Sequence, residues 1–239
     1  MSTPPDSVIL VGGRGQRLQS VVRDLPKPLA SVGSRPFVER VIEQLKVQGI
    51  RRVVFCTGHL SEVVETSLRD GSQYGLEFLY VRDPIPLGTA GAIQHALAFL
   101  HTNPILVLNG DSFCPWNLVK LQEVHRRTHA LGTLWLTSVV DRRQFGTVEL
   151  DATGAVLQFR EKSDGPGGGL INAGVYLLQR GVLEQDMPIG PSSLERDLFP
   201  VLAAKRQLYA VVGEGPFLDI GTPASYAQAE GFFADFRKR

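Results

Sequence analysis

With 239 residues, 43% of them hydrophobic, and a formal net charge of +1, the chain can bury one sizeable core, is rather short for two independent domains, and lacks the basic excess that nucleic-acid binding needs. Cys56 and Cys114 are the only cysteines and show no paired spacing for zinc or a disulfide framework, so buried free thiols are expected. The opening MSTPPDS has neither a basic segment nor an apolar stretch, and nothing later reaches transmembrane length, which predicts a cytoplasmic protein with no membrane partner.

Val8 to Val11 is an apolar run suited to a strand buried on both faces, and Gly12, Gly13 and Gly15 break it abruptly. Backbone N–H groups in such a loop can approach a phosphate chain closely, and Arg17 and Lys27 add positive charge. A dinucleotide fingerprint does not fit, because the position three residues after Gly15 is Leu18. A P-loop does not fit either, since no Gly-Lys pair occurs anywhere. The loop runs on instead into Leu25-Pro26-Lys27-Pro28, in which a proline on each side restricts the backbone around one lysine.

Arg35 to Gln48 reads as a helix stopped by Gly49, Arg52 to Thr57 as a strand, and Ser61 to Arg69 as a second helix. His59, alone at a strand end with no nucleophile or acid beside it, reads as a loop residue. Leu76 to Val81 is a third strand. After it, Pro86, Gly88 and Thr89 lie in a segment of small residues that admits either a flat ring or a closely packed helix start. Pro104 to Leu108 is a fourth strand that ends in Asn109-Gly110-Asp111. Ligands of open α/β sheets bind outside the strands' carboxyl ends, so the loops after strands one, two and four should converge on one crevice.

Trp116 to His129 reads as a helix and Thr133 to Val139 as a fifth strand. Gly146 to Leu150 and Ala155 to Arg160 form an antiparallel hairpin that delivers Glu161 and Lys162 to the glycine-rich SDGPGGG, which suits a mobile lid. Asn172 and Gly174 come next. Ser192 to Ala204 reads as one amphipathic helix, Gln207 to Val212 as a strand, and Ala224 to Arg237 as a closing helix. Asp219, between Leu218 and Ile220, needs a partner for a half-buried carboxylate, either a cation or nearby backbone N–H groups.

GGRGQRL followed by DLPKP resembles the signature of the sugar-1-phosphate nucleotidyltransferases, with Gln16 where Thr is usual. PLGTAGA, NGD, FG at 145, EK at 161, NAG at 172 and DIGTP resemble that family's later motifs in the same order, with Phe145 where Tyr is more frequent. The resemblance implies a Rossmann-like three-layer α/β fold: a mixed, mainly parallel sheet with a small antiparallel β appendage. It implies a single domain, with a nucleotide-binding half over about 1–140 and a sugar-phosphate half over about 141–239.

It further implies that Val11, Gly12, Gly13, Gly15, Arg17, Lys27, Pro86, Gly88 and Thr89 bind the nucleotide. Gly146, Glu161, Lys162, Asn172 and Gly174 would bind the sugar phosphate. Arg17, Lys27 and Asp111 would be catalytic, and Asp111 with Asp219 would hold Mg2+. The segments SVVRDLPKPLASVGSRPFVE, GLINAGVYLL and SLERD look most like the D-glycero-α-D-manno-heptose 1-phosphate guanylyltransferases, which implies GTP as the nucleotide. Uridylyl-, thymidylyl- and cytidylyltransferases and mannose-1-phosphate guanylyltransferases share the framework and stay open. So does a non-catalytic nucleotide-sugar sensor or regulatory subunit, against which the two aspartates and three cations speak. The oligomeric state is open, a homo-oligomer included.

Overall fold

In the computed structural model, residues 3–13, 15–22, 25–161, 167–185 and 187–236 are described, Gln16 by its backbone only. Among them, nine strands form the main sheet: β1 (Ser7–Leu10), β2 (Arg52–Thr57), β3 (Glu77–Arg82), β4 (Ile105–Asn109), β5 (Gly132–Val139), β6 (Thr147–Leu150), β7 (Val156–Arg160), β8 (Gly169–Leu178) and β9 (Leu208–Val212). Strands β4, β1, β2 and β3 lie side by side in parallel. β8 runs antiparallel to β4 along its second half and meets β6 at Ile171, while β5 covers its other edge. β9 is parallel to β5, and β6 with β7 forms the antiparallel hairpin.

Apolar runs rather than alternation mark β1, β2 and β4 because both faces are covered. Val8, Val54 and Val107 point to one layer, and Ile9, Phe55 and Leu106 to the other. The helices are α1 (Phe37–Val47), α2 (Ser61–Leu68), α3 (Gly88–Ala96), α4 (Leu118–Arg127), α5 (Arg180–Gln185), α6 (Phe199–Ala204) and α7 (Pro223–Phe236). Buried side chains of α1, α2, α4 and α7 fill the layer with Ile9, and those of α3, α5 and α6 fill the layer with Val8. The three-layer α/β expectation holds.

Three of the differences from the sequence reading have a clear physical cause. Arg35-Pro36 pairs with Ser31-Val32, which delays α1 to Phe37. The expected helix over Ser192 to Ala204 is instead a π turn at Leu194–Leu198 followed by α6; Pro200, near its start, has no N–H for a carbonyl one turn back. β8, a ten-residue strand, has no counterpart in the sequence reading, because Asn172 and Gly174 interrupt its apolar run at a bulge. Of the glycine-rich segment read as a lid, residues 163–166 lie outside the described residues.

His125 on α4 is buried between Thr133 Oγ1, 2.9 Å from its Nδ1, and Gln179 Nε2, 2.9 Å from its Nε2. Burial pushes its imidazole down to about 4. A histidine with a depressed folded-state pKa stabilises fully above its ordinary value of 6.5, and that contribution is lost as pH falls toward 4. The loss should reach about 3 kcal/mol by pH 4. His125→Gln should therefore flatten the pH dependence of the urea midpoint between pH 7 and 4.5. Equal slopes for the two proteins would assign the effect to another group.

Candidate active site

The loop after β1 is fixed at its root by Val11 N–H donating to Cys56 O (3.0 Å) and is pinned further on by fully buried Leu18. Pro26 and Pro28 then frame a short turn at Lys27–Leu29 whose apolar members are buried, so the Lys27 stem is held and only 10% of its side chain is exposed. Its ammonium donates to Asp111 Oδ2 at 2.7 Å and lies 3.9 Å from Asp219 Oδ2. The two aspartates, far apart in sequence, meet because Ser112-Phe113 pairs with Leu218-Asp219 in a two-stranded ribbon at the end of β4. Ser112 Oγ stands 3.3 Å from a carboxylate oxygen of each.

Burial, and next the neighbouring Asp111 carboxylate, push the Asp219 carboxyl above its usual range against the pull of Lys27. The Gly221 N–H donates to Asp219 Oδ1. So both partners weighed for Asp219, a cation and backbone, are present.

Above this charge cluster, a cavity of about 370 Å³ is lined by Val11, Gly13, Gly15, Arg17 and Lys27. It shares Leu10, Gly13 and Asp111 with a cleft of about 820 Å³ that runs over Gly12, Pro86, Gly88 and Thr89. The loops after β1, β2, β3 and β4 all contribute to that cleft, the β3 loop carrying Pro86, Gly88 and Thr89. Gly88 and Gly91 sit where a Cβ would fall on the carbonyl oxygens of Ser192 and Gly190, so their smallness serves backbone packing at the start of α3. Thr89 Oγ1 donates to Glu195 Oε2 (2.7 Å) and accepts from Leu194 N–H (2.8 Å), locking the same junction.

Gly146, Asn172 and Gly174 cluster on β8 and its neighbours. Asn172 N–H donates to Gly146 O (2.9 Å), Asn172 Nδ2 to Tyr176 Oη (2.7 Å), and Gly174 N–H to Asn172 Oδ1 (3.0 Å), with Gly174 packed against Asn109. Glu161 stands exposed after β7, 3.9 Å from Arg196 Nε. Lys162 lies outside the described residues.

Sequence reasoning missed three cleft residues. His59, set aside as a loop residue, lines the cleft after β2. Asp83, after β3, has only 7% of its side chain exposed and lies 3.3 Å from His95 Nδ1. Burial raises its pKa, and His95 partly opposes the shift. Asn109 at the end of β4 keeps a buried Oδ1 with no hydrogen-bond partner within the described chain. His59 and Asn109 sit at strand ends the carboxyl-end rule already pointed to, and extending it to β3 adds Asp83.

Residues 6–235 match the family described as nucleotidyl transferase. Over 226 residues the chain is 35% identical to mannose-1-phosphate guanylyltransferase of Mycobacterium tuberculosis, covering 93% of this chain but 63% of that relative. It is 34% identical over 226 residues to D-glycero-α-D-manno-heptose 1-phosphate guanylyltransferase of Aneurinibacillus thermoaerophilus, covering 94% of this chain and 96% of the relative. The crystal structure of HddC from Yersinia pseudotuberculosis superposes with a TM-score of 0.85 at 31% identity, over 96% of this chain and 100% of that one. The same protein complexed with GMP-PN gives 0.83 at 30% identity. With a three-layer fold, a glycine loop over a lysine–aspartate cluster and a match across nearly its whole length, the chain belongs to the nucleotidyl transferase family.

Proposed function

We propose that the protein transfers a guanylyl group from GTP to D-glycero-α-D-manno-heptose 1-phosphate, releasing pyrophosphate. The observation that carries this reading is Lys27 held 2.7 Å from Asp111 and 3.9 Å from Asp219 in the Arg17 cavity, which shares Asp111 with the long cleft. A phosphate oxygen of the sugar phosphate attacks the α-phosphorus in line, and the bond from that phosphorus to the leaving pyrophosphate oxygen breaks. The nucleophile is already ionised near neutrality, so no general base is required. The protein supplies position and positive charge between two repelling anions. Arg17 and Lys27 fit that task on the nucleotide side, and Lys162 is assigned to the sugar phosphate.

Asp111 and Asp219 offer only oxygen donors, with Ser112 Oγ beside both, which suits magnesium. Among the described residues no group of three or more histidine, cysteine or carboxylate side chains could hold a metal, so such an ion would complete its shell with water and phosphate oxygens. When bound it would offset the phosphate charge.

Asp83 supports guanine. Guanine presents two adjacent N–H donors, N1–H and the 2-amino group, and a carboxylate in a low-polarity wall accepts both. Uracil and thymine present one donor between two acceptors. Asp83→Asn turns an N–H₂ toward those donors and should lower kcat/KM for GTP by about 10–100-fold. Unchanged GTP kinetics in that variant would remove Asp83 from base reading.

The assignment is tested by pyrophosphate release across a panel of nucleoside triphosphates and sugar 1-phosphates. GTP with the manno-heptose phosphate should be fastest. Mannose 1-phosphate, the sugar in the name of the Mycobacterium relative, should react weakly. Faster turnover with UTP or dTTP than with GTP would overturn the guanylyl assignment.

A further inference from the structure

A second cavity, of about 680 Å³, opens at the end of the sheet opposite the cleft. Its walls include Asn103-Pro104, just before β4, and Gln179, just after β8, whereas Asp111 lies past the far end of β4. The floor is apolar, from partly exposed Pro104 and Leu131, with Leu177 and Val182 buried behind them. The rim is polar: α4 supplies Gln122 and Arg126 to it from successive turns, and His129 follows just past the helix end. Arg126 is exposed and makes no ion pair with any described carboxylate, and no acidic side chain is among the lining residues.

The back wall is built rather than accidental. His125 is nine-tenths buried and fixes the Gln179 carboxamide at 2.9 Å, while its own other nitrogen is taken by Thr133. Arg180 N–H donates to Asn103 Oδ1 (2.9 Å), which ties the two strand ends together across the mouth. A pocket of this volume with an apolar floor and a few convergent polar groups is sized for a small molecule. An unpaired guanidinium over that floor selects for negative charge at one end of the ligand.

We propose that this cavity is a second ligand site, for a small organic anion whose compact apolar body lies on Pro104 and Leu131 while its charged group meets Arg126. The site stands apart from the nucleotide cleft and is independent of which sugar or base the enzyme uses.

Titration calorimetry of the full chain with phenyl phosphate and with benzoate tests it, inorganic phosphate and phenol serving as charge-only and ring-only probes. One or both aromatic anions should bind, and their affinity should fall at least tenfold in Arg126→Gln. It should persist in Arg17→Gln, which weakens the catalytic cavity instead. Arg126→Gln should leave turnover in the absence of probe unchanged. Binding that survives Arg126→Gln, binding lost in Arg17→Gln, or no binding by either aromatic anion would overturn the proposal. Phenyl phosphate alone binding would identify a phosphate monoester as the ligand class, and benzoate alone a carboxylate.

Discussion

Asp111→Asn and Asp219→Asn should each lower turnover on the order of a hundredfold or more, the usual loss when one well-placed electrostatic group is removed from a reacting phosphate. The fold should survive both changes, and the reason differs between them. Asp219 is a carboxylate raised above its ordinary pKa by burial and by Asp111, so its ionised form is held at a net disadvantage. Replacing it with Asn removes that repulsion and should leave stability equal or higher, the pattern of a site where function opposes stability. Asp111→Asn removes the 2.7 Å partner of Lys27, but the ammonium keeps Asp219 within 3.9 Å. Pyrophosphate release and thermal melting on the same preparations separate the two readouts. An active Asp219→Asn enzyme would sink the two-aspartate site.

Gly88→Ala should destabilise the protein by about 3 kcal/mol, from about 1–2 for a left-handed backbone with a Cβ plus a similar overlap term. Gly88 has φ +73°, and its added carbon would fall on Ser192 O. Gly91→Ala makes a sharper comparison. Alanine inside a helix normally gains about 0.5–1 kcal/mol over glycine, whereas overpacking costs about 1–3. With the Gly190 carbonyl oxygen in the way and Leu87 Cβ at 3.2 Å, overlap should win and the sign should be destabilising. Melting temperatures would fall about 2–4 °C per kcal/mol for a chain of this size. A Gly91→Ala protein more stable than the parent would show that the segment at 190–192 yields freely.

The parallel half of the sheet was legible because each strand there is an apolar run ended by glycine, histidine or aspartate, and local pattern alone carries that signal. Arg17, Lys27 and Asp111 were legible from motif order, and all three line one cavity. The pairing of Asp111 with Asp219 also came from motif order; its physical origin is a ribbon of two-residue strands, too short for any periodicity. β8 was hidden because its bulge at Asn172 to Val175 breaks the alternation that marks a strand. Asp83 and His59 were hidden for a different reason: each looks like an ordinary loop residue until the neighbouring strands are in register. The segment of Gly88 and Gly91 admits both a flat ring and close packing, and the close packing becomes visible only with a segment a hundred residues downstream in place.

That downstream segment also closes the start of α3. Ala90 N–H and Gly91 N–H both donate to Ser192 O (3.0 and 3.3 Å), and Ser192 N–H donates to Leu87 O (2.8 Å). Two first-turn donors of the helix are therefore spent on the protein itself. The wall of the cleft that carries Pro86 to Thr89 is thus not a transplantable cassette. Exchanging residues 84–92 with those of a relative that uses another nucleotide would leave mismatched partners at 190–195, so specificity grafts should succeed only when both stretches travel together.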